Sequence, residues 1–102
     1  MACNFLQAKG YEIIERNYRY KHGEIDIIAQ NKEYLIFVEV KYRSTALFGM
    51  PYEAVDYRKK QRIINTSKYY MLTHNILRKS IRYDVISILQ DEIMHYEDAF
   101  WT

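Results

Sequence analysis

The chain of 102 residues carries 15 Lys and Arg against 13 Asp and Glu, and 49% of its residues are hydrophobic. This length and composition are typical of one globular domain, residues 1–102, and exclude a disordered chain. No apolar run is long enough to cross a membrane, and the sequence shows no signal-peptide pattern. Because Cys3 is the only cysteine, no internal disulfide can form, and we expect a cytoplasmic protein without membrane contact.

Charge is distributed unevenly along the chain. Residues 41–82 hold ten Lys and Arg against two acidic residues, whereas the remainder holds five basic residues against eleven acidic ones. A basic region beside an acidic one suits a polyanionic partner that approaches bound metal cations. A lysine-rich helix surface without any partner is the alternative interpretation.

Local composition predicts alternating helices and strands. Gly10 is suited to end a short first helix, and polar links divide the β-branched and aromatic segments into separate strands. This order predicts an α/β fold in which helices flank one mixed β-sheet. The predicted elements are a helix over residues 2–9, strands over 11–18, 23–29 and 34–41, a helix after residue 56, strands over 81–89 and 93–97, and a hydrophobic plug at 99–101.

The second and third predicted strands form a hairpin around which the rest of the sequence is arranged. With its turn centred between Lys32 and Glu33, Asp26 lies directly opposite Glu39. Lys41 shares the face of Glu39 because strand side chains alternate. The same alternation predicts Glu24, Asp26 and Ile28 on one face of the first strand of the hairpin, and Ile25, Ile27 and Ala29 on the other.

Two opposed carboxylates are costly in a strand pair. At the separation of directly opposed residues they repel by roughly 3–4 kcal/mol at an effective dielectric of about 20. A sheet built only for stability would avoid this arrangement, whereas a bound cation would relieve it. Asp26, Glu39 and Lys41 therefore indicate a metal site with an activated water, and a solvated, self-neutralising strand face is the alternative.

The helix after residue 56 begins with basic side chains, and Asp56 is placed to cap it. Cations at a helix N-terminus oppose the macrodipole, so an arriving anion would gain from both the dipole and the basic residues. We therefore predict that Lys59, Lys60 and Arg62 contact phosphates, with Lys60 turned toward the sheet. The predicted buried stripe of this helix is Ile63, Ile64, Ser67, Tyr70 and Met71.

Three ordered motifs resemble the YraN-type family of uncharacterised endonuclease-like proteins. They are Gly23-Glu24-Ile25-Asp26-Ile27-Ile28-Ala29, Phe37-Val38-Glu39-Val40-Lys41-Tyr42-Arg43 and Phe48-Gly49-x-Pro51-x-Glu53-Ala54-Val55, supported by residues 82–85 and 98–100. That family is placed in the PD-(D/E)XK nuclease superfamily and is similar in core to archaeal Holliday-junction resolvases. The resemblance implies a restriction-endonuclease-like αβββαβ core. It also implies Mg²⁺-dependent (or Mn²⁺-dependent) hydrolysis of phosphodiester bonds in DNA, with branched or repair intermediates as candidate substrates.

The resemblance also implies roles for individual residues. Asp26, Glu39 and Lys41 match the superfamily's Asp and Glu-x-Lys positions, so the two carboxylates would bind the metal and the lysine would orient the attacking water. Glu24 would be an outer or second metal ligand, with a solvated charge at the strand start as the alternative. The residues expected to hold the DNA backbone are Arg43, Lys59, Lys60 and Arg62.

Two further functions are open on the sequence. Members of this family usually carry a glutamate on the first helix, about one turn before the position that Ala2 matches. The sequence begins too late to contain it, so either the first helix is trimmed or the protein lacks one supporting carboxylate. That departure slightly favours a nucleic-acid-binding protein of the same fold that does not cut. A protein-interaction module built on the eleven tyrosines is the third interpretation, and a homodimer is compatible with the sequence.

Overall fold

The computed structural model describes residues 1–43, 57–76 and 79–101. The predicted α/β class and the predicted order of elements are confirmed. The expectations for residues 44–56, including Asp56 as a helix cap, lie outside the described residues. The elements are α1 (Ala2–Ala8), β1 (Glu12–Tyr20), β2 (Gly23–Gln30), β3 (Tyr34–Arg43), α2 (Tyr57–Thr73), β4 (Ser80–Leu89), β5 (Glu92–Tyr96) and a 3-10 turn (Ala99–Trp101).

The five strands form one mixed sheet in the order β1-β2-β3-β4-β5. Strands β1, β2 and β3 pair antiparallel, β3 and β4 pair parallel, and β5 returns antiparallel to β4. A parallel pair needs a long crossover connection, and α2 lies within the connection from β3 to β4. The parallel register places β4 beside the whole length of β3, so β3 is an interior strand of the sheet.

The helix α1 is short, and Gly10, with a φ of +93°, ends it as predicted.

A hydrophobic core lies on each face of the sheet. The α1-side core consists of Ala2, Leu6, Ile27, Ala29, Ile36, Val38, Ile86 and Ile88. The α2-side core consists of Ile25, Ile28, Leu35, Phe37, Ile63, Tyr70, Tyr83, Val85, Ala99 and Phe100.

Gly23 lets α2 approach the start of β2 closely. A Cβ at this position would overlap the Thr66 hydroxyl and lie 2.9 Å from the Arg62 carbonyl oxygen. Both neighbours belong to α2. Thr66 is held in place because its hydroxyl donates a hydrogen bond of 2.7 Å to the Arg62 carbonyl oxygen. The absent side chain therefore fixes how near the first half of α2 comes to the hairpin.

The predicted alternation of β2 is wrong at Ile25. Ile25 lies in the α2-side core together with Ile28, whereas Ile27 lies in the α1-side core. The backbone ladder between β2 and β3 begins only at the pair Ile27 and Val38. Before that pair the backbone of β2 pairs with β1 alone, and Asn17 of β1, which lies between the partners of Ile25 and Ile27, has a φ of +54°. The ladder is therefore irregular where the two faces exchange.

A buried polar network lies on the α1 side, where hydrophobic patterning gave no prediction. Asp84 is fully buried and accepts two hydrogen bonds from Arg82, each of 2.9 Å, and one from the Asp98 amide, also of 2.9 Å. His95 Nε2 lies 2.6 Å from the same carboxylate. The Lys9 ammonium lies 2.7 Å from His95 Nδ1, and because an ammonium can only donate, Nε2 carries the proton shared with Asp84.

These contacts change the titration of Asp84. Burial alone would raise the pKa of Asp84, but the hydrogen bonds from His95, Arg82 and the Asp98 amide outweigh burial and lower that pKa below its ordinary value of 3.8. The carboxylate is therefore charged in the folded protein at neutral pH. It joins β4, β5 and the segment that enters the final turn.

Within the described ranges, neither α1 nor α2 is long and apolar enough to cross a membrane.

Replacement of Asp84 by Asn should destabilise the fold by about 3–5 kcal/mol, because Arg82 then loses a buried charged partner. The stability that Asp84 contributes is present above pH 3.8 and is lost as the pH falls through its lowered folded pKa. Urea denaturation between pH 2 and pH 7 measures both effects. Glu97→Gln is the matched control, since Glu97 pairs with Arg82 across 3.0 Å but is 52% exposed, and it should cost less than about 1 kcal/mol. Equal losses for the two variants would contradict the assignment.

Candidate functional site

The turn between β2 and β3 sets the register of the hairpin. The Asn31 side-chain oxygen accepts hydrogen bonds from the amides of Glu33 at 2.9 Å and Tyr34 at 2.7 Å, which reverses the chain. The resulting register pairs Ile27 with Val38, as the turn centred between residues 32 and 33 predicts. Continued by one residue, this register brings Asp26 beside Glu39.

Asp26 continues the hairpin where the backbone ladder has ended. Its Oδ2 accepts a hydrogen bond of 2.8 Å from the Val40 amide, so a side chain satisfies a donor of β3 in place of backbone. The contact leaves Oδ1 as the second acceptor of the carboxylate. This hydrogen bond fixes the Asp26 side chain beside Val40 of β3, the residue that follows Glu39.

Both carboxylates open into one cleft between the hairpin and the start of α2. The cleft has a volume of about 310 Å³. Five of the residues that the sequence singled out for the site lie along it, together with the exposed His22. The lining residues are His22, Gly23, Glu24, Asp26, Glu39, Lys59, Arg62 and Ile63.

Glu39 is the buried acid of this cleft, with a side chain only 5% exposed. Its Oε1 accepts a 2.8 Å contact from the Lys59 ammonium, whose side chain is 39% exposed. Burial raises the pKa of Glu39; Lys59 opposes this shift and the Asp26 charge adds to it. The same ion pair raises the pKa of Lys59 in spite of partial burial. The raised pKa values of Glu39 and Lys59 agree with their exposed fractions, because the more buried Glu39 bears most of the desolvation cost.

Lys41 lies two residues after Glu39 on the same strand. Burial lowers the pKa of Lys41, and the neighbouring Lys59 ammonium lowers it further, while Glu39 and Asp26 act in the opposite direction. Lys41 therefore lies within the electrostatic range of both carboxylates. A lysine with a lowered pKa beside two carboxylates is a candidate functional residue.

The remaining predicted residues divide into those inside the cleft and those outside it. Glu24 lines the cleft but pairs with Arg19 across 2.8 Å, and it is 38% exposed. Lys60, expected to face the sheet, places its ammonium 5.9 Å from the centre of the Phe100 ring and does not line the cleft. Arg43 is the last residue of β3.

The donor set can be compared with the needs of particular metals. In the described part of the chain no group of three or more His, Cys, Asp and Glu is placed to hold a metal ion. A structural zinc site, which takes four protein ligands, is therefore not supported among these residues. Mg²⁺ is commonly bound through one or two carboxylates, with waters and substrate phosphates completing the shell. Asp26 and Glu39 fit that second pattern.

Sequence comparison places the chain in a known family. The model of the uncharacterised protein family UPF0102 matches residues 1–88. The chain belongs to this family. The YraN-type resemblance is thereby confirmed, while the family description names no activity.

Relatives match over almost the whole chain. A UPF0102 protein of Lachnoclostridium phytofermentans is 46% identical over 100 residues, which are 97% of this chain and 85% of that protein. One of Clostridioides difficile is 46% identical over 98% of this chain and 90% of its own length. One of Persephonella marina is 40% identical over 97% of this chain and 85% of its own length.

Because burial raises the pKa of Glu39, the effect of this residue on stability should depend on pH. A group with a raised folded pKa contributes stability that is present below its unfolded pKa and is lost as the pH rises through the folded value. Because Gln does not titrate, the stability of Glu39→Gln relative to wild type should increase as the pH rises through the folded pKa of Glu39. Urea denaturation of both proteins across pH 4–9 measures the difference. A relative stability that decreases with rising pH would show that the Lys59 pair outweighs burial.

Proposed function

We propose that this protein is a divalent-metal-dependent DNA endonuclease that hydrolyses phosphodiester bonds, with branched or repair intermediates as candidate substrates. The observation that carries the proposal is the meeting of Asp26 and Glu39 in one open cleft, with Lys41 within electrostatic range of both. The Asp26 charge adds to the cost of ionising the buried Glu39, and Lys59 offsets this cost only in part, because the pKa of Glu39 stays raised. A bound divalent cation would offset this cost and would also serve a phosphoryl-transfer reaction.

Asp26 and Glu39 would hold Mg²⁺ or Mn²⁺ at the floor of the cleft. A bound ion of this type supplies a Lewis acid that makes water easier to deprotonate and offsets charge on the phosphoryl oxygens. Asp26 lines the cleft, and its Oδ2 is fixed by the Val40 amide. This fixed orientation limits the motion that the carboxylate must lose on binding.

Lys41 would act on the attacking water. The Lys41 ammonium would orient this water or stabilise its deprotonated form, and the lowered pKa of Lys41 comes from burial and from the neighbouring Lys59. Its place on β3 keeps it two residues from Glu39 on an interior strand. The strand therefore sets the distance between metal ligand and water-orienting group.

Basic residues around the cleft would position the DNA backbone. Arg62 lines the cleft itself, and Lys60 lies two residues nearer the start of α2. Contacts of this kind fix the register of the duplex without reading its sequence. Arg43 would extend the same contact along the end of β3. Glu24 remains a candidate outer ligand.

A second candidate function is DNA binding without cleavage by the same fold. The observation that favours it is the Lys59 ion pair, because Glu39 already has a cationic partner within the chain. In that case the cleft would bind phosphate through its basic residues while the carboxylates served stability. The two functions predict opposite responses to metal.

The deciding experiment compares wild type with Asp26→Asn on branched, flapped and linear DNA in Mg²⁺ or Mn²⁺. Cleavage should fall by about 100-fold or more, since changes to groups outside a metal's own ligands already cost about 10–100-fold. Without metal the variant should melt at or above the wild-type temperature, because repulsion between Asp26 and Glu39 is removed. The variant should also lose stabilisation by millimolar Mg²⁺.

Asp91→Asn, at an exposed turn residue, is the control and should behave as wild type in all three measurements. A wild type that ignores metal and melts above Asp26→Asn would overturn the nuclease proposal. Retained DNA affinity in that protein would then support the non-cutting binder.

A further inference from the structure

Lys59 occupies the place in the cleft where a cation is expected. Its ammonium lies 2.8 Å from Glu39 Oε1, and its charge also interacts with Asp26. A carboxylate that is only 5% exposed requires a charged or hydrogen-bonding partner in the folded protein. Among the described contacts of the Glu39 side chain, Lys59 supplies this partner.

We propose that Lys59 is an internal counter-ion of the metal site: it holds Glu39 in the metal-free protein, leaves Glu39 when a divalent cation binds, and then contacts a substrate phosphate. The inference rests on the proposed function and adds a positioning role for a residue outside the Asp and Glu-x-Lys motif. It also makes one side chain serve two successive partners, a carboxylate and a phosphate.

The charges of the cluster explain why the ammonium should leave. Asp26 and Glu39 carry two negative charges, and Lys41 and Lys59 carry two positive ones, so the metal-free cluster is neutral. A divalent cation bound to the carboxylates would leave the cluster with a net charge of +2. Cations within a few ångströms in a partly buried site repel strongly. Withdrawal of Lys59, followed by the arrival of a phosphate, removes this excess.

The positions of the two partners show which of them can move. Glu39 is on β3, an interior strand paired along its length with β4. Lys59 is the third residue of α2, its side chain is 39% exposed, and its ammonium ends a flexible stem of four carbons. The lysine can therefore swing into solvent at the mouth of the cleft, where Arg62 also lies, while Glu39 stays in place.

The test measures metal binding in the full chain without DNA, by calorimetric titration with Mg²⁺ and with Mn²⁺. The variant is Lys59→Gln, which removes the charge but keeps a hydrogen-bond donor for Glu39. The control is Lys68→Gln on the exposed side of the same helix. Lys59→Gln should bind metal about tenfold more tightly than wild type, because no ammonium competes for Glu39. Lys68→Gln should bind as wild type does.

A second measurement reports on where the ammonium goes. DNA affinity is followed against NaCl concentration in Ca²⁺ and in chelator. In Ca²⁺, Lys59→Gln should reduce the slope of log affinity against log salt by about 0.9, the value for one duplex phosphate contact. In chelator, where Lys59 remains on Glu39, the slopes of wild type and variant should agree.

The outcomes separate this inference from the function on which it rests. Wild type that binds no divalent cation would overturn both. Wild type that binds metal, with Lys59→Gln binding equally or more weakly, would overturn the counter-ion role and leave the metal site standing. If Lys59→Gln does not fold, wild type with ¹³C-labelled lysine decides: the Lys59 side-chain signal should shift on Mg²⁺ addition, and an unchanged signal would contradict the inference.

Discussion

The hydrogen bond from the Val40 amide to the Asp26 carboxylate is the contact on which the candidate site depends. It lies one residue beyond the last backbone pair of β2 and β3, so it holds together two strands that no longer share a ladder. It also places one carboxylate against a strand that carries another, with Glu39 adjacent to Val40. A carboxylate side chain thus replaces a backbone acceptor of the ladder at the point where the cleft opens.

Burial then gives the site its electrostatic character. Glu39 is withdrawn from water beneath α2, and α2 comes this near because Gly23 has no side chain to obstruct Thr66. A close helix raises the cost of the Glu39 charge and brings Lys59 to meet it. The packing of the hairpin and the electrostatics of the cleft are therefore linked through the position of one helix. On the other face, the buried Asp84 of β4 pairs with His95 of β5, away from the cleft.

The sequence predicted the parts of the fold that local chemistry determines. The turn at Asn31 sets the hairpin register, and the left-handed Gly10 ends α1, so both followed from residue type and spacing. The break in alternation at Ile25 did not follow, because it depends on where the β2–β3 ladder starts in space. The Asp84 network was missed for a related reason: apart from Arg82 on the same strand, its members are His95 of β5, the Asp98 amide after β5 and Lys9 after α1, which only the fold brings together.

Lys59 shows what the sequence could not predict within the candidate site. Consecutive residues of a helix point about 100° apart, so whether Lys59 or Lys60 meets the carboxylates depends on the rotation of α2 about its axis. Gly23 and Thr66 fix that rotation by a contact between distant parts of the chain. The sequence alone predicted both lysines as phosphate ligands and turned Lys60 toward the sheet, whereas Lys59 is the one that meets Glu39 and Lys60 packs on Phe100.

The central claim is that Asp26 and Glu39 together form a site for a divalent cation. Anomalous diffraction from a crystal soaked in Mn²⁺ tests this most directly, because it locates the ion without reference to activity. The account predicts one Mn²⁺ at bonding distance from an oxygen of each carboxylate, with the Lys59 ammonium moved away from Glu39. A crystal that takes up Mn²⁺ elsewhere, or that keeps the contact between Lys59 and Glu39 at saturating Mn²⁺ with no ion between the carboxylates, would contradict it.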